Sequence, residues 1–155
     1  MLRTRWLGRV AYRDGLALQR ALFRTRASDY LLLLEHPPTY TTGVRARPEH
    51  VLVPAESLGA EVVQVDRGGD VTYHGPGQLV GYPIRRVATK RGGGMADTAA
   101  HVFDVEQLVI DALADLGLPG CGRIRGLAGV WVDPLALAGP PRKIAALGVK
   151  LARGW

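Results

Sequence analysis

Arg67-Gly68-Gly69-Asp70-Val71-Thr72-Tyr73-His74-Gly75-Pro76-Gly77-Gln78-Leu79-Val80-Gly81-Tyr82-Pro83-Ile84 is the stretch on which the reading of this chain turns. Val71–Tyr73 and Gln78–Tyr82 carry strand-forming residues, and Gly75-Pro76-Gly77 reads as the turn between them. A hairpin built for stability alone needs fewer glycines. Those at 68, 69, 75, 77 and 81 let backbone pass close to another group or adopt positive φ. Tyr73 and His74 lie among them, so polar rings stand beside bare backbone. That arrangement lines a pocket for a small or thread-like ligand.

Upstream, Glu61–Asp66 reads as a short β-branched strand. Tyr30–Glu35, an apolar run ending in a charge, reads as a central strand buried on both faces. His36-Pro37-Pro38 stops it, and Thr39–Gly43 with the basic stretch to Pro48 reads as a loop or short edge elements. Trp6–Tyr12 reads as a first strand. Asp14 reads as an N-cap, followed by the helical stripe Leu16, Leu18, Ala21 and Leu22 to about Arg26. Downstream, Arg85–Gly94 reads as a surface loop. Asp97 or Thr98 caps a helix with Val102, Val105, Val109, Ala112, Leu113 and Leu116 on its buried face, and Gly117 and Pro119 end it. Gly129–Asp133 and Lys143–Lys150 read as two late strands joined by a loop over Pro134–Pro141. The order indicates an α/β or α+β sandwich with a mixed sheet.

The chain of 155 residues is long enough for one domain with a core. An apolar fraction of 47% and a charged fraction of 22% fit a water-soluble globular protein. Tyr30–Leu34 is far too short to cross a bilayer, and the basic N-terminus lacks an apolar signal core. One cysteine, Cys121, forms no internal disulfide and fits a reducing cytosol. The net charge of +6 lacks the aromatic interleaving of a single-strand binder and suits any acidic partner, acidic carrier proteins included.

Arg67-Gly68-Gly69-Asp70 opens a strand rather than a helix, so it is no dinucleotide fingerprint, and there is no P-loop. Arg67 can pair a carboxylate or phosphate of a ligand, or an acid of the chain such as Asp70. His74, between Tyr73 and Gly75 at a turn, reads as ligand-facing, able to exchange hydrogen bonds or a proton near neutrality. His36, His50 and His101 have no metal-ligand spacing among themselves or with Cys121, and no metal or cofactor is expected. Lys143 enters an apolar segment. Burial there would fit it for proton transfer, but spacing alone favours a strand-edge lysine facing water. Cys121, in Pro119-Gly120-Cys121-Gly122, reads as a small loop residue.

Four segments together carry a family resemblance. Leu33-Leu34-Glu35-His36-Pro37-Pro38-Thr39-Tyr40-Thr41-Thr42-Gly43 resembles the LLEHPPVYTLG stretch of the lipoyl(octanoyl) transferases. Arg67–Val80 is similar to that family's main signature almost residue for residue. Gly129-Val130-Trp131-Val132 resembles its GVWV segment, and Arg142–Val149 its KIAAIGV segment. The resemblance implies an α/β fold shared with lipoate and biotin protein ligases, a single catalytic domain over 1–155, and a cytoplasmic enzyme of lipoate biosynthesis. It implies octanoyl transfer from octanoyl-acyl carrier protein to a lysine of lipoyl domains, those of 2-oxoacid dehydrogenases and the glycine cleavage H protein. It implies no part for nucleic acid, membrane or cofactor.

The resemblance further implies that Arg67, Gly68, Gly69, Asp70, Val71, Thr72, Tyr73 and His74 line the acyl site. Ala146, Leu147 and Gly148 would touch the chain, and Lys143 would be the partner of a cysteine nucleophile. In the family that cysteine lies in a PCG segment beyond the lysine, after an HG-x-ALN segment; Cys121 precedes the lysine and matches no family cysteine. The expectation is a portion of a complete transferase. The alternatives are a non-catalytic acyl- or carrier-protein-binding paralogue and an ATP-dependent lipoate ligase.

Overall fold

The computed structural model describes residues 1–90, 96–132, 139–152 and 154–155. The chain forms two compact units, Met1–Val87 with Lys150–Trp155, and Ala88–Val149.

The first unit is organised on the leucine run. β1 (Leu2–Arg9), β2 (Asp29–Glu35) and β6 (Val80–Ile84) form one sheet in the order β1-β2-β6, with β1 parallel and β6 antiparallel to β2. β2 is central, as its composition indicates, but its faces differ: Leu32 and Leu34 are fully buried while Leu31 and Leu33 are half-buried. Leu32, Leu34 and Val80 form the core, against Leu7, Val10, Leu18, Leu22, Tyr30, Tyr82 and Ile84. Each fully buried leucine contributes about 2 kcal/mol of transfer free energy.

α1 (Tyr12–Thr25) lays Leu18 and Leu22 on this core. It starts earlier than Asp14 predicts, at an Ala11 N-cap without a side-chain bond. Asp14 sits in the first turn instead, where the helix dipole favours a carboxylate. β1 likewise starts and stops earlier than Trp6–Tyr12.

A second sheet in this unit has the order β4-β3-β5, from β4 (Glu61–Gln64), β3 (Thr39–Thr42) and β5 (Val71–His74). β3 runs parallel to β4 and antiparallel to β5. Thr39–Gly43 is therefore mostly a central, buried strand and not a loop or edge. The Thr39 and Thr41 hydroxyls find partners inside, Thr39 Oγ1 donating to Pro37 O at 2.9 Å and Thr41 Oγ1 accepting from Arg67 Nη2 at 2.7 Å. The hairpin expectation is also corrected: β5 pairs with β3 and β6 with β2, so Gly75-Pro76-Gly77 carries the chain from one sheet to the other. Two 3-10 turns, Pro48–His50 and Ala55–Leu58, lie between β3 and β4.

The second unit holds α2 (Thr98–Asp115) and an antiparallel sheet β7-β8-β9. Asp97 caps α2 as predicted, its Oδ1 accepting from Ala100 N at 3.1 Å. Gly117 (φ +89°) ends it. The inner face differs from the apolar stripe: Val102, Val105, Val109 and Leu113 are half-buried, Ala112 and Leu116 are exposed, and His101 and Glu106 are buried. Glu106 is inside because it is fully partnered. Its Oε2 accepts from Arg123 Nε at 3.0 Å and its Oε1 from Gly129 N at 2.9 Å.

β7 (Cys121–Ile124) places Cys121, buried, in a strand opposite Val132, which corrects its reading as a loop residue. β8 is Leu127–Val132 and β9 is Arg142–Ala145. β9 is shorter than Lys143–Lys150, and residues 146–150 form no ladder. Asp133, residues 91–94 of the loop expected over Arg85–Gly94, and residues 134–138 of that over Pro134–Pro141 lie outside the described residues. Among the described residues no helix is long and apolar enough to cross a membrane.

Candidate functional site

The first unit brings the signature segment together with side chains from four other elements. Arg67, half-buried in the turn before β5, spans to β3. Its Nη2 donates to Thr41 Oγ1 at 2.7 Å, Thr72 Oγ1 at 2.9 Å and Thr41 O at 3.2 Å, and its Nη1 to Gly68 O at 3.1 Å. All four acceptors are neutral, and burial pushes its pKa down. Asp70 acts on it only through its field, its own hydrogen bonds going elsewhere: it accepts from Val71 N at 2.7 Å and bonds His50 Nδ1 at 2.5 Å. The Val71 N–H and then His50 hold the Asp70 carboxyl below the usual range.

Glycine is required at the crossing of these loops. A Cβ on Gly43 would stand 2.6 Å from Gly69 O and 2.8 Å from Arg67 Nη1. Gly69 has φ +101°, and its carbonyl accepts from Arg45 N at 3.0 Å. Gly68 and Gly69 thus shape the turn that presents Arg67. Val71 and Thr72 are half-buried in β5, and Tyr73 turns outward to pack on Tyr40 at 5.3 Å between centroids.

His74 stands among Tyr12 of α1, stacked at 5.7 Å, the edge of His36 at 5.7 Å, and Thr41. Its protonation is set by its neighbours. Gln78 Nε2 donates to Tyr73 O at 3.1 Å, so Gln78 Oε1 faces His74 Nδ1, 2.8 Å away. Nδ1 therefore carries the proton and Nε2 the lone pair, 3.4 Å from Thr41 Oγ1. Burial lowers the His74 pKa to about 4, against the opposing effect of Gln78, with His36 and Arg67 adding to the fall.

His36 is fully buried just after β2. Its Nδ1 lies 2.7 Å from Val10 O, an acceptor only, so Nδ1 is the donor; Nε2 accepts from the Tyr82 hydroxyl at 2.7 Å. Burial pushes the His36 pKa down and those of Tyr82 and Tyr12 up. The result is a set of neutral rings beside one half-buried guanidinium. His36 and His74 thus bond neutral groups and offer ring surface with a few oriented hydrogen bonds, while the carboxylate–histidine contact at the signature segment is that of Asp70 with His50.

Sequence reasoning singled out Arg67–His74 but not Tyr12, His36, Thr41, Gln78 and Tyr82, which the fold brings around them. For His36 the signal was a histidine closing an apolar strand, where a buried ring needs partners for both nitrogens. For Thr41 it was a Thr-Tyr-Thr-Thr run with strand propensity.

The other predicted residues lie in the second unit. Lys143 is in β9 opposite Trp131, exposed, with Nζ 4.8 Å from the Trp131 ring centroid. The entry into a buried strand is not observed; the water-facing position is. Ala146 and Gly148 are exposed and Leu147 is half-buried.

Residues 11–155 match the family described as the lipoyl protein ligase A/B catalytic domain. A protein named octanoyltransferase from Chloroflexus aggregans is 48% identical over 153 residues, covering 94% of this chain. One from Corynebacterium jeikeium is 44% identical over 155 residues, covering 96%. The chain spans 65% and 61% of the lengths of those two proteins.

In fold the chain is similar to a lipoate-protein ligase A bound with ATP (TM-score 0.62, 20% identity, 79% of this chain and 50% of that one). It is likewise similar to a bipartite lipoate protein ligase from Thermoplasma acidophilum (TM-score 0.64, 20% identity, 85% and 52%). The α/β architecture is thus that of lipoate-protein ligases. By the extent of the family match and by its octanoyltransferase relatives, the chain belongs to the lipoyl protein ligase A/B catalytic domain family.

Proposed function

We propose that this protein is part of an octanoyltransferase. It moves an octanoyl group from acyl carrier protein to a lysine amine of a lipoyl domain, as a cytoplasmic enzyme whose two units serve one catalytic domain. The observation that carries the reading is the ring cluster around His74, where this residue of the signature segment packs with Tyr12 and His36 beside Arg67 in surroundings suited to an acyl chain. The identity to octanoyltransferases supports it. The excess of basic residues, with Arg3, Arg5 and Arg9 exposed on β1, suits acidic protein partners.

In this reading Arg67–His74 line the acyl site, and Ala146, Leu147 and Gly148 contact the chain. A cysteine thiolate attacks the octanoyl thioester carbon; the acyl C–S bond to the carrier breaks and the carrier sulfur leaves as a thiol, taking its proton from the Lys143 ammonium. The lysine amine of the lipoyl domain then attacks the acyl-cysteine, an amide forms, and the cysteine sulfur leaves. Lys143 partners the thiolate and relays the amine's proton. The nucleophile is a cysteine in a PCG segment; the single cysteine here, Cys121, stands in the different context Pro119-Gly120-Cys121-Gly122.

The test is transfer from octanoyl-acyl carrier protein to an apo lipoyl domain, without ATP, by the protein extended through a PCG segment. Mass spectrometry should find octanoylated lipoyl domain and an acyl-enzyme. No transfer overturns the reading, and ATP-dependent loading of free octanoate would assign the protein to the ligases.

A further inference from the structure

β8 and β9 hold Lys143 in a way that neither strand needs for pairing. Trp131 pairs with Lys143, but Val130 pairs with Ala145, so Ile144 is an extra residue and β9 bulges beside the lysine. A bulge re-aims the neighbouring side chain. Gly129, at φ +103°, lets β9 come close: a Cβ there would lie 2.5 Å from Ala145 O, and 3.3 Å from Lys143 Cδ and 3.4 Å from Cε, where the lysine stem runs. Beyond the stem, Nζ reaches the Trp131 ring, 4.8 Å from its centroid. That ring is itself anchored, Trp131 Nε1 donating to Leu127 O at 3.3 Å. Gly129 is fixed from below, its N–H donating to buried Glu106.

We infer that Gly129 and Trp131 form a cradle that positions the Lys143 ammonium: glycine clears a channel for the stem and the indole face holds the charge. Its consequence for catalysis rests on the octanoyl-transfer reading. Gly129 and Trp131 are positioning residues. They leave the choice of substrate alone and limit the arc the lysine sweeps, so they act on turnover rather than on substrate affinity.

Two readouts on the full-length protein test this. By NMR, the Lys143 Cε protons should show an upfield ring-current shift, lost in Trp131→Leu and partly kept in Trp131→Phe. In the transfer assay, Trp131→Leu should lower kcat about two- to fivefold, the scale of an exposed cation–π contact, with KM for octanoyl-acyl carrier protein unchanged and Trp131→Phe closer to wild type. Unshifted Cε protons in the wild type overturn the cradle, as does an unchanged kcat in Trp131→Leu. Should that variant not fold, Trp131→Phe decides the same question through its partial shift. A wild type that shows the shift but transfers nothing counts against the transferase reading and leaves the cradle standing.

Discussion

The two units treat charge in opposite ways. The first surrounds His36 and His74 with rings and neutral acceptors, and burial biases both toward the uncharged form. The second buries a carboxylate, Glu106, and neutralises it with Arg123, whose guanidinium also lies 3.8 Å above the Phe103 ring. Its candidate lysine is left outside on an indole face. In the first unit the predicted site is part of the packing, so altering it also disturbs the fold. In the second, Lys143 is separable from the residues that hold helix to sheet.

That contrast gives four predictions. The largest effect is expected at the charge pair of the second unit. Glu106→Ala leaves the Gly129 N–H without its acceptor and takes the carboxylate from Arg123, which keeps only the neutral acceptors Gln107 Oε1 and Phe103 O, and we predict a loss of about 4 kcal/mol, the scale of a broken buried pair. Urea unfolding with a probe in that unit measures it; a loss within error of a surface substitution would mean the pair is incidental. Next is Gly43→Ala in the first unit, where backbone oxygen blocks the new methyl. Overpacking of this kind costs about 3 kcal/mol. A shift of the Arg67 guanidinium resonances should accompany the lower denaturation midpoint, and unchanged resonances would contradict the close approach.

Acid should weaken the first unit through its neutral rings. An unfolded histidine titrates near 6.5, while His74 is held to about 4. Between those values the unfolded chain binds a proton that the folded ring refuses, so stability falls as pH drops from about 6.5 to 4 and then levels off for this group. The ring is not fully enclosed, so the loss is roughly 2 kcal/mol. Tyr12, His36 and Arg67 face His74, and of these His36 shifts in the same direction. Asp70 and Asp66, held low by the Val71 N–H and by Lys150, weaken only below about pH 4. Melts across this range, repeated with His74→Phe, should show a flatter profile in the variant; identical profiles would remove His74 as the cause. The smallest stability effect is expected for Lys143→Ala, within about 0.5 kcal/mol for an exposed side chain, while transfer by the complete enzyme should be abolished. Retained transfer would take Lys143 out of the reaction.

What the sequence disclosed follows from where the physics is local. The leucine run of β2 and the Asp97 cap of α2 are legible because burial and capping act within a few residues. The glycines of Arg67–Gly77 pointed to close backbone approaches for the same reason: tight turns leave local traces. Partner choice between distant strands leaves none. Val71–His74 and Val80–Ile84 look like a hairpin, and only their long-range partners, Thr39–Thr42 and Tyr30–Leu34, separate them. β7 was hidden because Cys-Gly-Arg-Ile has little strand propensity, its pairing with β8 supplying what composition lacks. His36, Tyr12 and Tyr82 were missed because each is unremarkable alone and acquires meaning only when the fold brings the rings within 6 Å.

β1 has a consequence for how these molecules behave in a crowd. It lies at the margin of its sheet, bonded to β2 on one side, and among the described residues no strand pairs with its other side, which leaves amides and carbonyls for an extended chain. Arg3, Arg5 and Arg9 recur along it, all exposed. A second copy approaching to add a strand would bring its own arginines against these, and like charges repel before backbone bonds can form. The same cations that favour an acidic visitor therefore keep identical neighbours apart, guarding against fibre-like stacking of an otherwise open edge.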